Sequence, residues 1–157
     1  MSSFHRLILL LPIAFLLHVG EEFLTGYPAY VAEVSGHAMP LGVFLGSNIA
    51  FIIGMALLVG WAVRSDKPVA IFWMLAWAAG NEFWNFVYHL VSVVAYDRHS
   101  PGLVTGSLIY VPLSALVWRA AMAERRISGA GLAAAIGLGA LWMAAVAAIG
   151  IYHVGGI

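Results

Sequence analysis

The sequence predicts an all-α protein, a polytopic bundle of about five transmembrane helices that forms one domain over residues 1–157. Apolar residues make up 63% of the chain and charged residues only 9%, against roughly 25% charged residues in an ordinary soluble protein. Several segments hold about 20 mostly apolar residues, the length that a helix needs to cross a hydrocarbon core of about 30 Å. A chain of 157 residues also leaves no room for a second independent core.

The boundaries of the spans follow from helix-breaking residues and charged turns. Two glycines and two prolines predict a loop over residues 25–40, because these residues commonly interrupt helices. Short polar turns rich in charge separate the later apolar segments from one another. The predicted spans are residues 4–24, 41–63, 69–96, 103–122 and 129–152.

The basic residues predict the orientation of the bundle, because cytoplasmic loops carry an excess of Lys and Arg. Of the seven basic residues, only Arg98 lies on the side of the membrane that holds the predicted 97–102 turn. We therefore expect the N-terminus in the cytoplasm and the C-terminus outside. The basic residues on the other side are Arg6, Arg64, Lys67, Arg119, Arg125 and Arg126.

Charge and cysteine content exclude several classes of function. Seven Lys and Arg balance seven Asp and Glu, so nothing indicates a nucleic-acid partner. The chain has no cysteine, which excludes disulfides, thiolate metal sites and iron–sulfur clusters. The predicted partners are membrane lipid and a hydrophobic substrate.

Two of the predicted spans carry ionisable groups, each of which costs about 2.5–3.5 kcal/mol to place at membrane depth. In the first span these groups are spaced i, i+3 and i+4, and in the third they recur over two turns, so each set shares one helix face. From the helical rise, most lie roughly 18–30 Å from the cytoplasmic end, in one layer of the outer half of the bilayer. The residues are His18, Glu21 and Glu22 in the first span, and Asn81, Glu82, Asn85 and His89 in the third.

The imidazoles and carboxylates of this layer predict a transition-metal site. His18 and Glu22 can reach one ion from a single helix face, and His89 and Glu82 are the predicted ligands from the third span. With no soft ligands, zinc, iron and manganese all fit, and zinc is the expected metal. Glu21 and Glu82 are the candidate catalytic bases.

Polar and aromatic residues around the same layer are candidate substrate-binding residues. Helix–helix hydrogen bonds would also explain two of them, Asn48 and Thr105. The full set is Asn48, Asn81, Trp84, Asn85, Tyr88 and Thr105.

The segment His18-Val19-Gly20-Glu21-Glu22 resembles the signature of the HXXEE family. Asn81-Glu82 with His89, and Pro101-Gly102 leading to Thr105, are similar to other polar blocks of that family. The resemblance spans roughly residues 10–110. It implies a small multi-helix protein of the bacterial inner (plasma) membrane and supports the choice of site residues, but it implies no reaction.

The predicted function is a membrane-embedded metal-dependent enzyme, specifically a hydrolase acting on a lipid, a hydrophobic peptide or another apolar small molecule. One alternative is a metal-free hydrolase similar to the glutamate intramembrane proteases, in which Glu and His activate water directly. A second is a small cation or proton transporter, for which a homodimer would supply the pathway that 157 residues without internal repeats do not. A third is a scaffold whose polar layer serves assembly alone.

Overall fold

The computed structural model describes residues 1–151, and within that range the chain forms helices and connecting turns with no strand. The all-α prediction is therefore confirmed there. The predicted end of the fifth span, at residue 152, lies outside the described residues. The helical segments are α1 (Ser3–Leu24, as two helices Ser3–Ile8 and Leu11–Leu24), α2 (Tyr27–Ser35), α3 (Leu41–Ser65), α4 (residues 68–96), α5 (Leu103–Ala123) and α6 (Gly129–Ile151).

Four of these segments, α1, α3, α5 and α6, are long and apolar enough to cross a membrane. Large apolar side chains also cover the outside of the bundle, with Leu24, Leu57 and Leu108 between 69% and 83% exposed. Such a surface is unfavourable in water and suits lipid. The helices and this surface together indicate a membrane protein.

The prediction of a loop over residues 25–40 was wrong in its middle, where α2 forms. Gly26 and Gly36, with φ of +81° and +74°, bracket this nine-residue helix rather than disrupt it. Pro28 lies in its first turn, where the missing N–H has no helical partner to lose. Residue types that would break the interior of a helix therefore mark the two ends of the short helix α2.

Prolines also explain irregularities inside the long segments. The two helices of α1 meet just before Pro12, which lies in the first turn of the second. In α5, a π-helical stretch, Gly106–Tyr110, ends just before Pro112, which cannot donate to the preceding turn. α4 contains another such stretch, Leu75–Gly80, directly before Asn81, and π-helical turns of this kind are frequent at functional sites.

α4 is the central helix of the bundle. Its middle, residues 74–82, is almost wholly buried, and apolar residues from α1, α3, α5 and α6 pack with it in one core. Two hydrogen bonds to main-chain carbonyls fix its neighbours: Ser114 Oγ donates to Ala79 O and Trp84 Nε1 donates to Ile136 O, both at 2.9 Å. The polar residues of α4 are therefore held at the middle of the assembly.

Glycines let the backbones of α4 and α6 approach closely, as small residues do between helices in lipid. A Cβ added at Gly139 would lie 2.8 Å from the carbonyl carbon of Gly80 and 3.0 Å from Ala76 O. No such atom could be accommodated without separating the two backbones.

We expect Gly139→Ala to destabilise the bundle by about 1–3 kcal/mol, the usual cost of overpacking. Gly137→Ala is the matched control, because a Cβ there meets nothing within 4 Å. Thermal unfolding of the purified protein in one detergent compares the two variants. Equal unfolding temperatures for both would contradict the close helix contact.

Ionic contacts join three parts of the chain at one end of the bundle. Glu124 Oε1 accepts from Phe4 N at 2.9 Å, and His5 Nε2 lies 3.3 Å from Asp66 Oδ1. Arg126 pairs with both Asp66 and Glu124. Hydrogen bonds from the Ser2 hydroxyl and the Phe4 N–H stabilise the carboxylate of Glu124 and lower its pKa. At the other end, Arg98 pairs with Glu33 of α2.

Candidate metal centre

His18, Glu22 and His89 form a buried cluster between α1 and α4. The side chains of His18 and Glu22 lie one turn apart on α1, and His89 approaches from α4. His18 Nε2 and His89 Nε2 each lie 3.4 Å from Glu22 Oε1. Each of the three residues is at most 5% exposed, and one ligand atom from each lies within 4.8 Å of the other two. Among residues 1–151 this group could hold a metal ion.

Two hydroxyls hold the outer nitrogens of the imidazoles. His18 Nδ1 is hydrogen-bonded to Thr105 Oγ1, and His89 Nδ1 to Ser100 Oγ, both at 2.9 Å. Thr105 Oγ1 donates its own proton towards Gly102 O at 3.4 Å, so its lone pairs are available to Nδ1–H of His18. If each Nδ1 donates its proton to its hydroxyl, both Nε2 atoms present lone pairs to the cluster, which is the tautomer that a metal requires.

The side chain of Glu21 binds main-chain amides, a role that the sequence pattern did not indicate. Its Oε1 accepts from Gly102 N and Val104 N, both at 3.1 Å, and its Oε2 accepts from Thr105 N at 2.7 Å. These N–H groups belong to the start of α5, where the first amides of a helix have no partner in the helix. Glu21 therefore caps α5 with both oxygens, while the neighbouring Glu22 turns towards the imidazoles.

Gly102 fits directly against both imidazoles. Its φ is +99°, and an added Cβ would lie 2.7 Å from His18 Cε1 and from His89 Nε2. Only a residue without a side chain can occupy this position without displacing the rings. The hydrogen bond from Gly102 N to Glu21 Oε1 thus fixes the turn that closes one side of the cluster.

We expect Gly102→Ala to cost roughly 2–5 kcal/mol, from left-handed backbone strain of about 1–2 kcal/mol and overpacking of about 1–3 kcal/mol. Gly36→Ala isolates the strain, because Gly36 also has a positive φ, +74°, with nothing within 4 Å of an added Cβ. Thermal unfolding separates the two costs. A Gly102→Ala protein no less stable than Gly36→Ala would refute the contact with the imidazoles.

Glu82, the fourth predicted ligand, is not part of the three-residue group. It is 0% exposed, and neither carboxylate oxygen has a hydrogen-bond partner in residues 1–151. The hydroxyl of Tyr110, also buried, has no partner in that range either, and the Tyr110 ring packs with its centroid 4.6 Å from that of His18. Glu82 is therefore a carboxyl group held inside the bundle without a structural hydrogen bond.

The structure divides the predicted substrate-binding residues into two sets. Asn48, Asn81 and Asn85 line a cavity of about 460 Å³ that Glu22 also lines. The other three are engaged elsewhere: Trp84 binds the α6 backbone, Tyr88 accepts a hydrogen bond from Tyr27 at 3.3 Å, and Thr105 holds His18.

Sequence reasoning missed Ser100 and Tyr110. Ser100 lies in the turn that Pro101 and Gly102 define, where a serine is an ordinary turn residue. Tyr110 lies in an apolar helix and is one of 20 aromatic residues in the chain (6 Trp, 6 Tyr and 8 Phe). Neither residue type nor spacing identified them, because their roles come from contacts between distant segments.

A protein-family model described as "Protein of unknown function with HXXEE motif" matches residues 9–117. The match covers the whole cluster, from His18 to Thr105. No curated protein and no solved structure gives a significant match.

Proposed function

The chain belongs to the HXXEE family, and from its site we propose that it is a membrane-embedded, metal-dependent enzyme, specifically a hydrolase. The observation that carries the proposal is the convergence of His18 Nε2, His89 Nε2 and Glu22 Oε1 in the buried cluster. Three protein ligands with an open fourth position are typical of catalytic zinc sites, including the His₂Glu set.

Two of the three separations between the donor atoms match those expected around a tetrahedral metal ion. Ligands at about 2.1 Å from a tetrahedral ion are separated from one another by about 3.4 Å. Both Nε2–Oε1 distances are 3.4 Å, whereas a charge-assisted hydrogen bond measures about 2.7–2.9 Å. Neither Nε2 makes a hydrogen bond within residues 1–151. We propose zinc as the metal, because the 3.4 Å separations match a tetrahedral ion; the nitrogen and oxygen donors by themselves suit iron and manganese as well.

The surrounding residues can perform the remaining tasks of a hydrolase. A divalent ion held by the cluster would supply Lewis acidity and a water activated near neutral pH. Of the two predicted bases, Glu82 is the better candidate, because its oxygens have no partner within residues 1–151 whereas those of Glu21 bind three main-chain amides. Asn81 and Asn85 would orient the substrate in the adjoining cavity.

We further propose that α4 is a fifth span. Asp66, just before α4, contacts His5 and Arg126, while Arg98, just after it, contacts Glu33 beyond the far end of α1. α4 therefore connects opposite ends of the bundle. The excess of basic residues at the Arg126 end supports a cytoplasmic N-terminus and an outer-half location for the site in a bacterial plasma membrane.

Two measurements on protein purified without chelator test the function. Elemental analysis should find about one transition-metal ion per chain. Incubation with membrane lipids in ¹⁸O-labelled water should release carboxylates that contain ¹⁸O, and prior chelation should abolish that release. Label incorporation that survives complete metal removal would indicate the metal-free glutamate mechanism instead.

A further inference from the structure

A groove opens on the bundle where the start of α4, the end of α5 and the start of α6 meet. Phe72, Met122 and Ile127 give it an apolar wall, and Arg125 and Arg126 line it as well. The groove lies at the end of α4 opposite the turn that closes the metal cluster. A molecule bound in the groove would therefore not contact the cluster.

The two arginines of the groove differ in how their charge is balanced. Arg126 donates to Glu124 through Nε and one terminal nitrogen, and it also pairs with Asp66. The guanidinium of Arg125 is exposed and forms no ion pair or hydrogen bond within residues 1–151. Arg125 therefore gives the groove a positive charge that no acidic side chain of the described residues balances.

The backbone holds Arg125 in a conformation that glycine usually adopts. Its φ is +55°, and two hydrogen bonds fix it: Arg125 N donates to Met122 O at 3.1 Å, and Arg126 N donates to Ala121 O at 2.8 Å. This is the pattern of a Schellman cap at the end of α5, where glycine is common because a side chain is strained. Here that strained position carries the unpaired charge of the groove.

The surroundings of the groove combine positive charge with a surface that suits lipid. Asp66 and Glu124 are the acidic residues at this end of the bundle, against the six Lys and Arg of the predicted cytoplasmic side. Val69 and Trp73, which flank Phe72 on α4, are exposed, and exposed Trp is typical of the headgroup level of a membrane. A membrane lipid can therefore reach the apolar wall and Arg125 together.

We propose that this groove binds one anionic phospholipid, with its phosphate at Arg125 and an acyl chain along the apolar wall. Basic pockets between transmembrane helices are a known mode of binding for such headgroups. A zwitterionic lipid with the same chains fits the wall equally well but has no net charge, and a free phosphate monoester has no chain. The lipid would join the ends of three helices, independently of any hydrolase activity.

Native mass spectrometry of the purified protein in detergent tests the proposal by titration with dioleoyl phosphatidylglycerol or dioleoyl phosphatidylcholine. We expect one phosphatidylglycerol per chain to bind at least about tenfold more tightly than phosphatidylcholine. Arg125→Gln should reduce that preference about fivefold, the contribution of one basic residue near an anionic surface. Arg119→Gln is the matched control, because it removes an exposed arginine of α5 outside the groove. Its preference should stay within about twofold at an ionic strength of about 0.15 M, where distant charges are screened.

Arg125→Gly separates loss of the charge from loss of the fold, because glycine removes the guanidinium and suits the positive φ. Its unfolding temperature in lipid-free detergent should be no lower than that of the unmodified protein, while its preference for phosphatidylglycerol falls as in Arg125→Gln. Equal binding of the two lipids, an unchanged preference in Arg125→Gln, or an equal loss in Arg119→Gln would each overturn the proposal. Displacement of phosphatidylglycerol by glycerol phosphate alone would assign the groove to a small anion and overturn the lipid assignment.

Discussion

Replacing His18 or His89 with alanine is expected to lower bound metal from about one ion per chain to less than one tenth of that amount. Each imidazole supplies one of three ligand atoms in a cluster where no residue is more than 5% exposed. Elemental analysis measures the loss, and cobalt substitution reports the geometry through its visible absorption.

His99→Ala is the matched control for these variants, because His99 is an exposed imidazole outside the cluster. It should retain the metal of the unmodified protein. Stability provides a second readout: an ion present at 1,000 times its Kd stabilises the folded state by about 4 kcal/mol. Added zinc should therefore raise the unfolding temperature of the unmodified protein and of His99→Ala, but not that of His18→Ala. A full ion bound by His18→Ala would refute the site.

The sequence was sufficient to predict the all-α fold. It also singled out His18, Glu22 and His89, the three residues that the structure brings together in the buried cluster. Helical spacing places His18 and Glu22 on one face whatever the rest of the chain does. Their burial cost in a membrane then predicts a polar partner on another helix. Glu82 and His89 lie seven residues apart, about 10 Å along α4, which explains why the cluster includes one of them without the other.

Other features depend on contacts that side-chain patterns do not encode. Glu21 binds main-chain amides more than 80 residues away, and any residue type carries such amides. Ser100 owes its role to a turn that Glu21 and Gly102 position. The helix α2 was missed because Gly26 and Gly36 look the same in sequence whether they interrupt a helix or delimit one.

Replacement of Glu21 should damage both folding and the metal centre. Glu21→Ala leaves three N–H groups at the start of α5 without their acceptor, and hydrogen bonds to charged groups contribute about 1.5–3 kcal/mol each. Because the three share one carboxylate, we expect a combined loss of about 3–5 kcal/mol. The freed turn also carries Ser100 and Thr105, so metal affinity should fall by about 10–100-fold, as for other residues that orient metal-bound histidines.

Glu33→Ala is the control for loss of a carboxylate, since Glu33 forms an exposed ion pair with Arg98. Pairs of this kind contribute about 0–1 kcal/mol. Glu21→Gln keeps one acceptor oxygen and should fall between the unmodified protein and Glu21→Ala in both unfolding temperature and zinc affinity. If Glu21 were instead the catalytic base, Glu21→Gln would lose hydrolysis while zinc affinity and stability stayed unchanged. Joint loss of stability and affinity, graded from Gln to Ala, would identify Glu21 as the residue that positions both hydroxyls behind the imidazoles.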